Sequence, residues 1–437
     1  MRYNAIYITH SQGEFSMAYE NDDLNLRRTQ REKLRQERLA KQRKLKIIIA
    51  VTAALILVAG AALFFLLRGD EPTGDDPAGS TGEAAQTEAP ETAAPDRVSV
   101  VRIAAAGDLC VTDRTVAAGG TEQDYTALFM DVLPLLADAD LTVLNFEGNL
   151  VGAPYGTLRS SAPREMAQAL AAAGVDLVQV ANSKSIAGGL KGLKTTLDEL
   201  RAAGLEPVGA FATNDEFDKT GGYTLRTVNG VKIAFVAFTK GMDNLSLPVG
   251  SENCVNVLYK DYASNYQKVD TDGITRILRN VAEEAPDVTV ALLHWGSEYN
   301  ELVSDSQKKI LKLMKSEGVD VVLGTHSHLL QQMELGEDGT FVAYSLGDFL
   351  SDGERSGSNY SVVLELEITK NFTTGVTSVT DWSYSPIYNQ NGMRLLRLED
   401  AIAAYESDNI DRVSEEDYNN MVYAQDRVKK RIEPDSE

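Results

Sequence analysis

Three of the four histidines in this 437-residue chain lie in two short motifs of its C-terminal half. His294 begins the sequence His-Trp-Gly, and His326 and His328 lie two residues apart in Gly-Thr-His-Ser-His. Imidazole is the commonest metal ligand, and alternate residues of an extended segment point to the same side, so this pair could bind one metal cluster. A lone histidine is more often structural, and the case for His294 depends on the polar and aromatic loop that follows it.

Oxygen donors stand at the ends of earlier apolar runs. Asp108 follows a glycine after the first run, Glu147 ends Asn-Phe-Glu after the second, and Asn182 follows the third. Glu147 could bridge two cations and Asn182 could supply a carbonyl oxygen, because hard cations prefer oxygen. Taken singly, a Gly-Asp pair is more often a turn and a loop glutamate is more often solvated. Asp348 ends a further run, and the repetition of such clusters favours a metal site.

Alternating strands and helices must position these residues. Apolar runs predict strands at residues 142–145, 177–181, 232–238, 288–294, 319–323 and 341–345, after a first strand that begins near Val98. Leucines between residues 190 and 200 form the stripe of an amphipathic helix that Gly204 should end. This alternation predicts an α/β layered domain, in which ligands bind at the carboxyl ends of the strands. Residues 361–368 and 375–383 predict antiparallel strands.

The N-terminal region predicts a membrane anchor. Residues 1–46 form a basic segment, and the run from Ile47 to Leu67 has 21 residues without a charge, enough for one transmembrane helix. The positive-inside tendency keeps the N-terminus in the cytoplasm and exports everything after Arg68, as in a single-pass protein of the cell membrane with an extracellular domain. A cleaved signal peptide fits less well, because the basic lead is long and no clear cleavage site follows. Met17 is an alternative start.

Composition predicts the remaining boundaries and limits the partners. Residues 68–97 form an acidic linker expected to be disordered, residues 98–390 the α/β domain, and residues 391–437 a charged helical extension. Residues 1–68 carry a net charge of +6 and the remainder −28, which argues against nucleic-acid binding. Such a body would also repel an anionic polymer unless a metal or a basic patch offset its field. Cys110 and Cys254 could form a disulfide, but two buried thiols fit equally well.

In their order along the chain, these motifs resemble the CapA family of poly-γ-glutamate capsule synthesis proteins, which is related to calcineurin-like metallophosphoesterases. The resemblance covers about residues 100–350, and its histidine-containing segments are the most specific part. It rests on Gly-Asp at 107–108, Asn-Phe-Glu at 145–147, Ala-Asn at 181–182, His-Trp-Gly-Ser-Glu-Tyr at 294–299, Gly-Thr-His-Ser-His at 324–328 and Ser-Leu-Gly-Asp-Phe at 345–349.

The resemblance implies a four-layer αββα sandwich of the metallophosphoesterase type with two divalent ions, of Mn, Zn or Fe, at the strand ends. In the implied ligand set one ion is held by Asp108 and His328, the other by His294, His326 and Asn182, and the bridge between them is Glu147. Such a pair would activate a water for hydrolysis or acyl transfer. The implied partners are an anionic envelope polymer and the membrane subunits of a capsule synthase.

One segment departs from the family pattern. Where the family has Asn-Asn-His followed by Asp and Gly, this chain has Lys184 for the histidine and Ala187 for the aspartate. With an ordinary pKa of about 10.4, a lysine is a poor proton shuttle at neutral pH. Asp348 replaces the usual asparagine, and Lys184 could pair with it.

Two functions follow from this departure. In the first, the protein is a metal-dependent hydrolase or transferase in which Lys184 and His294 are catalytic. In the second, it is a degenerate family member that binds polymer or partner proteins without turnover.

Overall fold

The computed structural model describes residues 97–433. The predicted basic segment, membrane anchor and linker up to residue 96 lie outside the described residues. Among residues 97–433, none of the helices has both the length and the apolar character needed to cross a membrane. The described residues all belong to one compact unit.

This unit is a mixed α/β structure. Its strands are β1 (Val98–Cys110), β2 (Leu141–Glu147), β3 (Leu177–Gln179), β4 (Glu206–Val208), β5 (Thr224–Val228), β6 (Val231–Thr239), β7 (Val288–His294), β8 (Val321–Thr325), β9 (Met333–Leu335), β10 (Phe341–Ala343), β11 (Asp348–Leu350), β12 (Tyr360–Asn371), β13 (Thr377–Asn389) and β14 (Leu395–Arg397). Its helices are α1 (Asp113–Ala117), α2 (Thr126–Phe129), α3 (Leu133–Ala137), α4 (Arg164–Ala173), α5 (Gly189–Ala202), α6 (Asn214–Thr220), α7 (Thr271–Glu283), α8 (Asp305–Ser316), α9 (Leu398–Glu406) and α10 (Glu415–Ile432).

The strands form two sheets. The first has the order β14-β13-β12-β1-β2-β3-β4, with β11 paired to the end of β1, and the second has the order β5-β6-β7-β8-β10-β9. Strands β1 to β4 are parallel to one another, as are β6, β7, β8 and β10. The carboxyl ends of the strands within each parallel set therefore meet at one edge of their sheet.

The strands predicted from apolar runs are all present, although β8 begins two residues later than expected. Strands β12 and β13 pair antiparallel, as predicted. The helix with the leucine stripe is α5, which buries Leu193, Leu197 and Leu200. Gly204 follows it with φ +87°, a backbone conformation that glycine adopts without strain and that ends helices.

Alternate residues of the second sheet pack in two directions. Val290 and Leu292 of β7 belong to a hydrophobic cluster that also contains Ile103 of β1 and Val143 of β2. Ala291 and Leu293, which alternate with them along β7, pack in a second cluster with apolar side chains of α7 and α8. Because successive strand residues point to opposite faces, one face of this sheet packs toward the first sheet and the other against helices.

The segment after residue 391 packs on the same body. Strand β14, after the predicted boundary at residue 391, pairs antiparallel with β13, which lies before it. The first sheet therefore continues across that boundary. Helix α10 buries Met421, Val428 and Ile432 in the core cluster that contains both sheets. The Tyr388 hydroxyl of β13 donates a hydrogen bond to the Asp417 carboxylate of α10 at 3.1 Å. This segment is charged on its exposed side and apolar where it meets the sheet.

Candidate metal centre

The predicted metal ligands come from several strand ends and are all buried. Each is no more than 8% exposed: Asp108, Glu147, Asn182, His294, His326 and His328. Asp108 pairs in register with Asn145 of β2 and with Asp348 of β11, and Cys110 pairs with Glu147. The register of three adjacent strands therefore places four acidic or thiol side chains at one edge of the first sheet.

Two glycines allow the strand ends to approach so closely. The Asp108 amide donates a hydrogen bond to the Gly347 carbonyl at 2.9 Å, and a Cβ at Gly107 would lie 1.8 Å from that carbonyl oxygen. A Cβ at Gly324, before the histidine pair, would lie 2.0 Å from the Tyr344 carbonyl oxygen. No side chain fits at either position, so glycine is required by the backbone packing.

A first group of possible ligands consists of Asp108, Glu147 and His294, whose donor atoms lie within 4.8 Å of one another. His294 Nδ1 is 3.9 Å from Asp108 Oδ1, and His294 Nε2 is 3.8 Å from Glu147 Oε1. The Ser183 hydroxyl lies 3.0 Å from His294 Nε2 and the Thr325 hydroxyl 3.2 Å from His294 Nδ1. His294 is thus oriented by hydroxyl groups on both nitrogens.

A second group consists of Cys110, His328 and Asp348, again with donor atoms within 4.8 Å of one another. His328 Nδ1 is 2.8 Å from Asp348 Oδ1, and Cys110 Sγ is 3.8 Å from His328 Nδ1. Both cysteines of the described chain are free, so the disulfide alternative is excluded in this structure. The sequence reasoning missed Cys110 as a site residue. Its signal was the spacing from Asp108, because residues two apart on a strand face the same side.

Both carboxylates of the first group also face the second group. Asp108 Oδ1 faces His294, whereas Asp108 Oδ2 is 3.8 Å from His328 Nδ1. Glu147 Oε1 faces His294, whereas Glu147 Oε2 is 3.8 Å from Cys110 Sγ. Each carboxylate therefore presents one oxygen to each group, which is the arrangement expected of a bridging ligand.

His326 carries a buried nitrogen without a hydrogen-bond partner among residues 97–433. This nitrogen is Nδ1, and a third possible ligand group joins His326 to His328 and Glu298. Leaving a buried nitrogen without a hydrogen bond costs about 1–3 kcal/mol, and a metal ion bound to this nitrogen would remove that cost. The expectation of an extended segment is wrong, because His326 has φ +86° and His328 has φ +59°. A left-handed turn brings the two rings to a centroid distance of 6.2 Å.

Asn182 is engaged in hydrogen bonds. Its Nδ2 donates to Asn145 Oδ1 at 2.9 Å and to the Phe146 carbonyl at 2.8 Å, and its Oδ1 accepts from the Lys184 amide at 2.9 Å. Asn145 in turn donates to Asp108 Oδ1 at 2.5 Å. Asn182 thus orients Asp108 through Asn145, and its role as a direct ligand stays a prediction.

Lys184 pairs with a different residue from the one expected. Its Nζ donates to Asp243 Oδ2 at 2.6 Å, whereas Asp348 is bonded to His328. The suggested pair of Lys184 with Asp348 is therefore wrong. Burial acts to lower the pKa of Lys184, but the hydrogen bond to Asp243 and the charge of Glu147 raise it above its usual value. The ammonium group is fully charged at neutral pH.

The buried acidic groups repel one another. Burial and the neighbouring Glu147 raise the pKa of Asp108 to about 8, and burial also raises the pKa of Glu147. Burial acts to lower the pKa of His328, but the carboxylates of Asp348, Glu147 and Asp108 raise it well above its usual value. A divalent cation would relieve this repulsion by stabilising the ionised carboxylates.

The two other histidines of the site are neutral. Burial lowers the pKa of His294 well below its usual value, and the neighbouring His326 lowers it further. Burial lowers the pKa of His326 in the same way. Neutral imidazoles, carboxylates and a thiol within a few ångströms of one another form a donor set that fits a transition metal such as zinc.

Solved structures that resemble this chain include phosphatases and phosphoesterases at low identity. A novel phosphatase of Mycoplasma pneumoniae aligns with a TM-score of 0.39 and 11% identity, over 68% of this chain and 97% of that one. The calcineurin-like phosphoesterase YfkN from Bacillus subtilis aligns with a TM-score of 0.38 and 15% identity, over 75% of this chain and all of that one.

Proteins related in sequence identify the family of this chain more specifically. The PGA biosynthesis protein CapA of Bacillus subtilis (strain 168) is 26% identical over 289 residues, which cover 63% of this chain and 69% of the relative. The capsule biosynthesis protein CapA of Bacillus anthracis is 26% identical over 262 residues, which cover 57% of this chain and 59% of the relative. Residues 102–353, more than half of the chain and the segment that holds every group described above, match the family described as bacterial capsule synthesis protein PGA_cap. This chain therefore belongs to the PGA_cap family of bacterial capsule synthesis proteins.

Proposed function

We propose that this protein is anchored in the cell membrane and acts outside the cytoplasm on an anionic capsule or envelope polymer of the poly-γ-glutamate type. Its site would be that of a metal-dependent hydrolase or transferase. The observation that carries the proposal is that Asp108 and Glu147, inside the matched region, each present one oxygen to His294 and the other to the group of Cys110 and His328. The names of both relatives refer to biosynthesis of PGA or of a capsule.

The proposed fold is the four-layer αββα arrangement of metallophosphoesterases. One hydrophobic cluster contains residues from both sheets, and a second joins the opposite face of the β6–β8 sheet to α7 and α8. Helices α4 and α5 contribute Met166 and Leu193 to the first cluster together with Leu144 and Val178 of β2 and β3. Packing of helices outside two facing sheets explains both clusters.

The residues proposed to hold two divalent ions, of Mn, Zn or Fe, are the predicted ligands Asp108, Glu147, Asn182, His294, His326 and His328. Bound there, the ions would polarise a phosphoryl or carbonyl group and lower the pKa of a water. The chain itself supplies the neutral imidazoles of His294 and His326 and an Asp108 carboxylate oriented by the Asn145 side chain and by the His326 amide. His294 lies between the carboxylates, so its loss would change both charge and geometry.

Lys184 is proposed to bind the anionic substrate. Its side chain is 31% exposed beside the buried carboxylates, and its charge is maintained by Asp243. A charged ammonium attracts a carboxylate or phosphate of the substrate and offsets part of the acidic field of the domain. In this role Lys184 positions charge and transfers no proton.

Membrane anchoring by residues 47–67 and contact with the membrane subunits of a capsule synthase are part of the proposal. The acidic domain and the basic N-terminal segment fit an exported domain held by a signal anchor. Fractionation of cells that produce the full chain should place it in the membrane fraction, and a variant that lacks residues 47–67 should leave that fraction. Recovery of the full chain in the soluble fraction would contradict anchoring.

A degenerate protein that binds polymer without turnover is the second candidate. The observation that favours it is the ion pair with Asp243, which holds the Lys184 ammonium where the family has a histidine. The variant Lys184→His separates the two. A gain of about a hundredfold in hydrolysis would support degeneracy, because a well-placed imidazole contributes about that much or more by acid–base catalysis.

The purified full-length chain, supplied with Mn²⁺ or Zn²⁺, should shorten poly-γ-glutamate or cleave a generic phosphoester. The variant His294→Ala should lose this activity, whereas His10→Ala, outside the matched region, is the matched control and should retain it. Equal activity of the wild type and His294→Ala would contradict the proposal that this site is catalytic. Loss in both variants would show that the assay does not report on this site.

A further inference from the structure

We infer that Cys110 is a metal ligand, and that its thiolate together with His328 and Asp348 holds one divalent ion. The inference rests on the proposed metal-dependent site and adds a sulfur donor to it. The ligand set predicted from the sequence contains only oxygen and nitrogen donors. A sulfur donor changes which metal that position prefers.

The geometry places Cys110 Sγ among three polar atoms. It lies 3.8 Å from His328 Nδ1, 3.9 Å from Asp348 Oδ1 and 3.8 Å from Glu147 Oε2. Zinc bonds of about 2.3 Å to sulfur and about 2.1 Å to nitrogen place those two atoms about 3.6 Å apart in a tetrahedral site. The observed separation of sulfur and nitrogen is within a few tenths of an ångström of that value.

The backbone fixes this position. Cys110 is the last residue of β1 and pairs in register with Glu147 of β2. Its carbonyl accepts a hydrogen bond from the Thr115 hydroxyl at 3.0 Å, which holds the turn that leads into α1. Cys254 lies in another environment, where its Sγ is 3.9 Å from Asn214 Oδ1. The two thiols differ in surroundings, because Cys110 Sγ lies beside a histidine nitrogen and Cys254 Sγ beside an asparagine oxygen.

The chemistry of coordination is a simple exchange. A cysteine thiol with its ordinary pKa of about 8.5 carries its proton at neutral pH when no cation is bound. When a divalent ion binds, the S–H bond breaks, the sulfur–metal bond forms, and the proton leaves to solvent. A thiolate is a soft ligand and favours zinc or cobalt over magnesium and manganese. This position should therefore be the zinc-selective one of the proposed pair.

A buried thiol that only fills space is the competing explanation. It predicts that replacement by serine, which has a similar shape, leaves metal binding unchanged. Packing does not require three polar neighbours, and Cys110 is partly exposed at the end of its strand. The two explanations differ in what the sulfur does when a metal is added.

Cobalt(II) makes that difference visible, because a cobalt–thiolate bond gives a charge-transfer absorption band in the near ultraviolet. The full-length chain should be stripped with chelator, loaded with cobalt(II), and compared with Cys110→Ser and with the matched control Cys254→Ser. The band should appear in the wild type and in Cys254→Ser and be absent in Cys110→Ser. Zinc affinity should fall about tenfold or more in Cys110→Ser and stay unchanged in Cys254→Ser, because changing a residue that surrounds a metal ion typically weakens binding by about that factor.

A second measurement covers the case that Cys110→Ser does not fold. In the native wild type, zinc should protect one of the two thiols from a thiol reagent, and chelator should restore its reactivity. Mass spectrometry should place the protection at Cys110. Cobalt binding without the band, or a band that persists in Cys110→Ser, would overturn this inference and leave the proposed metal site standing. Failure of the wild type to bind cobalt or zinc at all would overturn both.

Discussion

Lys184 Nζ donates a hydrogen bond to Asp243 Oδ2 at 2.6 Å, in an ion pair beside the buried carboxylate of Glu147. The lysine is 31% exposed and the aspartate 46% exposed, so solvent screens the pair. Its effect is to keep the ammonium charged and fixed at the edge of the acidic centre. In the proposed function that fixed charge attracts the anionic substrate.

The variant Asp243→Asn should weaken substrate binding with little effect on stability. It leaves Lys184 without its charged partner, so the ammonium is no longer held in place and KM for an anionic polymer should rise. Exposed ion pairs contribute about 0–1 kcal/mol, and the free energy of unfolding should change by no more than that. Steady-state kinetics and denaturant unfolding measure the two effects.

The matched control for this variant is Asp198→Asn. Lys194 and Asp198 form an equally short exposed pair at 2.6 Å on helix α5. Removing that charge should leave KM unchanged. An unchanged KM in Asp243→Asn, or an equal rise in both variants, would argue against a substrate-binding role of Lys184.

Without metal, the protein should lose stability as the pH rises from 6.5 to 8. The pKa of Asp108 is raised to about 8 and that of His328 is raised above its usual value, so the folded state binds more protons than the unfolded state in this window. His294 and His326 have lowered pKa values and stay neutral in the folded state, so they oppose this trend only near pH 6.5, where the unfolded state still binds part of their protons.

Thermal unfolding in chelator at several pH values within this window measures the effect. Adding Zn²⁺ or Mn²⁺ should raise the Tm most at the alkaline end, because ligands must release protons to bind an ion. The variant Asp108→Asn should show a flatter dependence in chelator. A Tm that rises toward pH 8 in the chelated wild type would contradict the pKa assignments.

The variant Gly107→Ala should destabilise the fold and disturb the site. The added methyl group would lie 1.8 Å from the Gly347 carbonyl oxygen and would separate β1 from β11. Overpacking of this kind costs about 1–3 kcal/mol, and here it also displaces Asp108 from Asp348. Denaturant unfolding should show a lower free energy of unfolding, and a metal titration should show a lower affinity.

The comparison variant is Gly339→Ala, in the turn between β9 and β10. A Cβ there meets no atom within 4 Å, although its φ is +81°. It should lower stability through backbone strain and leave metal affinity unchanged. Equal metal affinity in Gly107→Ala and the wild type would show that this close approach does not position the site.

Much of the fold follows from local patterns in the sequence. The long strands β2, β6 and β7 are buried on both faces along almost their whole length, and the mainly apolar run in each identifies it. Strands β4, β9 and β11 have three residues each, and unlike the equally short β3 and β10 they do not lie in a longer apolar run that would reveal them. The position of β11 beside β1 depends on the tight contact between Gly107 and Gly347, which no local pattern reveals.

The site could be predicted in its residue types but not in its pairings. Motifs at strand ends identified Asp108, Glu147 and the three histidines, because carboxyl ends of parallel strands meet at one edge. The partner of Lys184 is 59 residues away in a loop after β6, and nothing in the sequence of Asp243 marks it. Cys110 was not predicted as a site residue, because a single cysteine carries little information until its neighbours in space are known.

The most direct test of the account is the metal content of the purified full-length chain. After purification at neutral pH with added Zn²⁺ or Mn²⁺ and removal of free metal, elemental analysis should find about two ions per chain, as in a two-metal site. The variant His294→Ala should hold fewer, and His10→Ala should match the wild type. Less than about a tenth of an ion per wild-type chain would contradict the metal centre, because ligands of a folded site that release their protons to bind an ion should retain it.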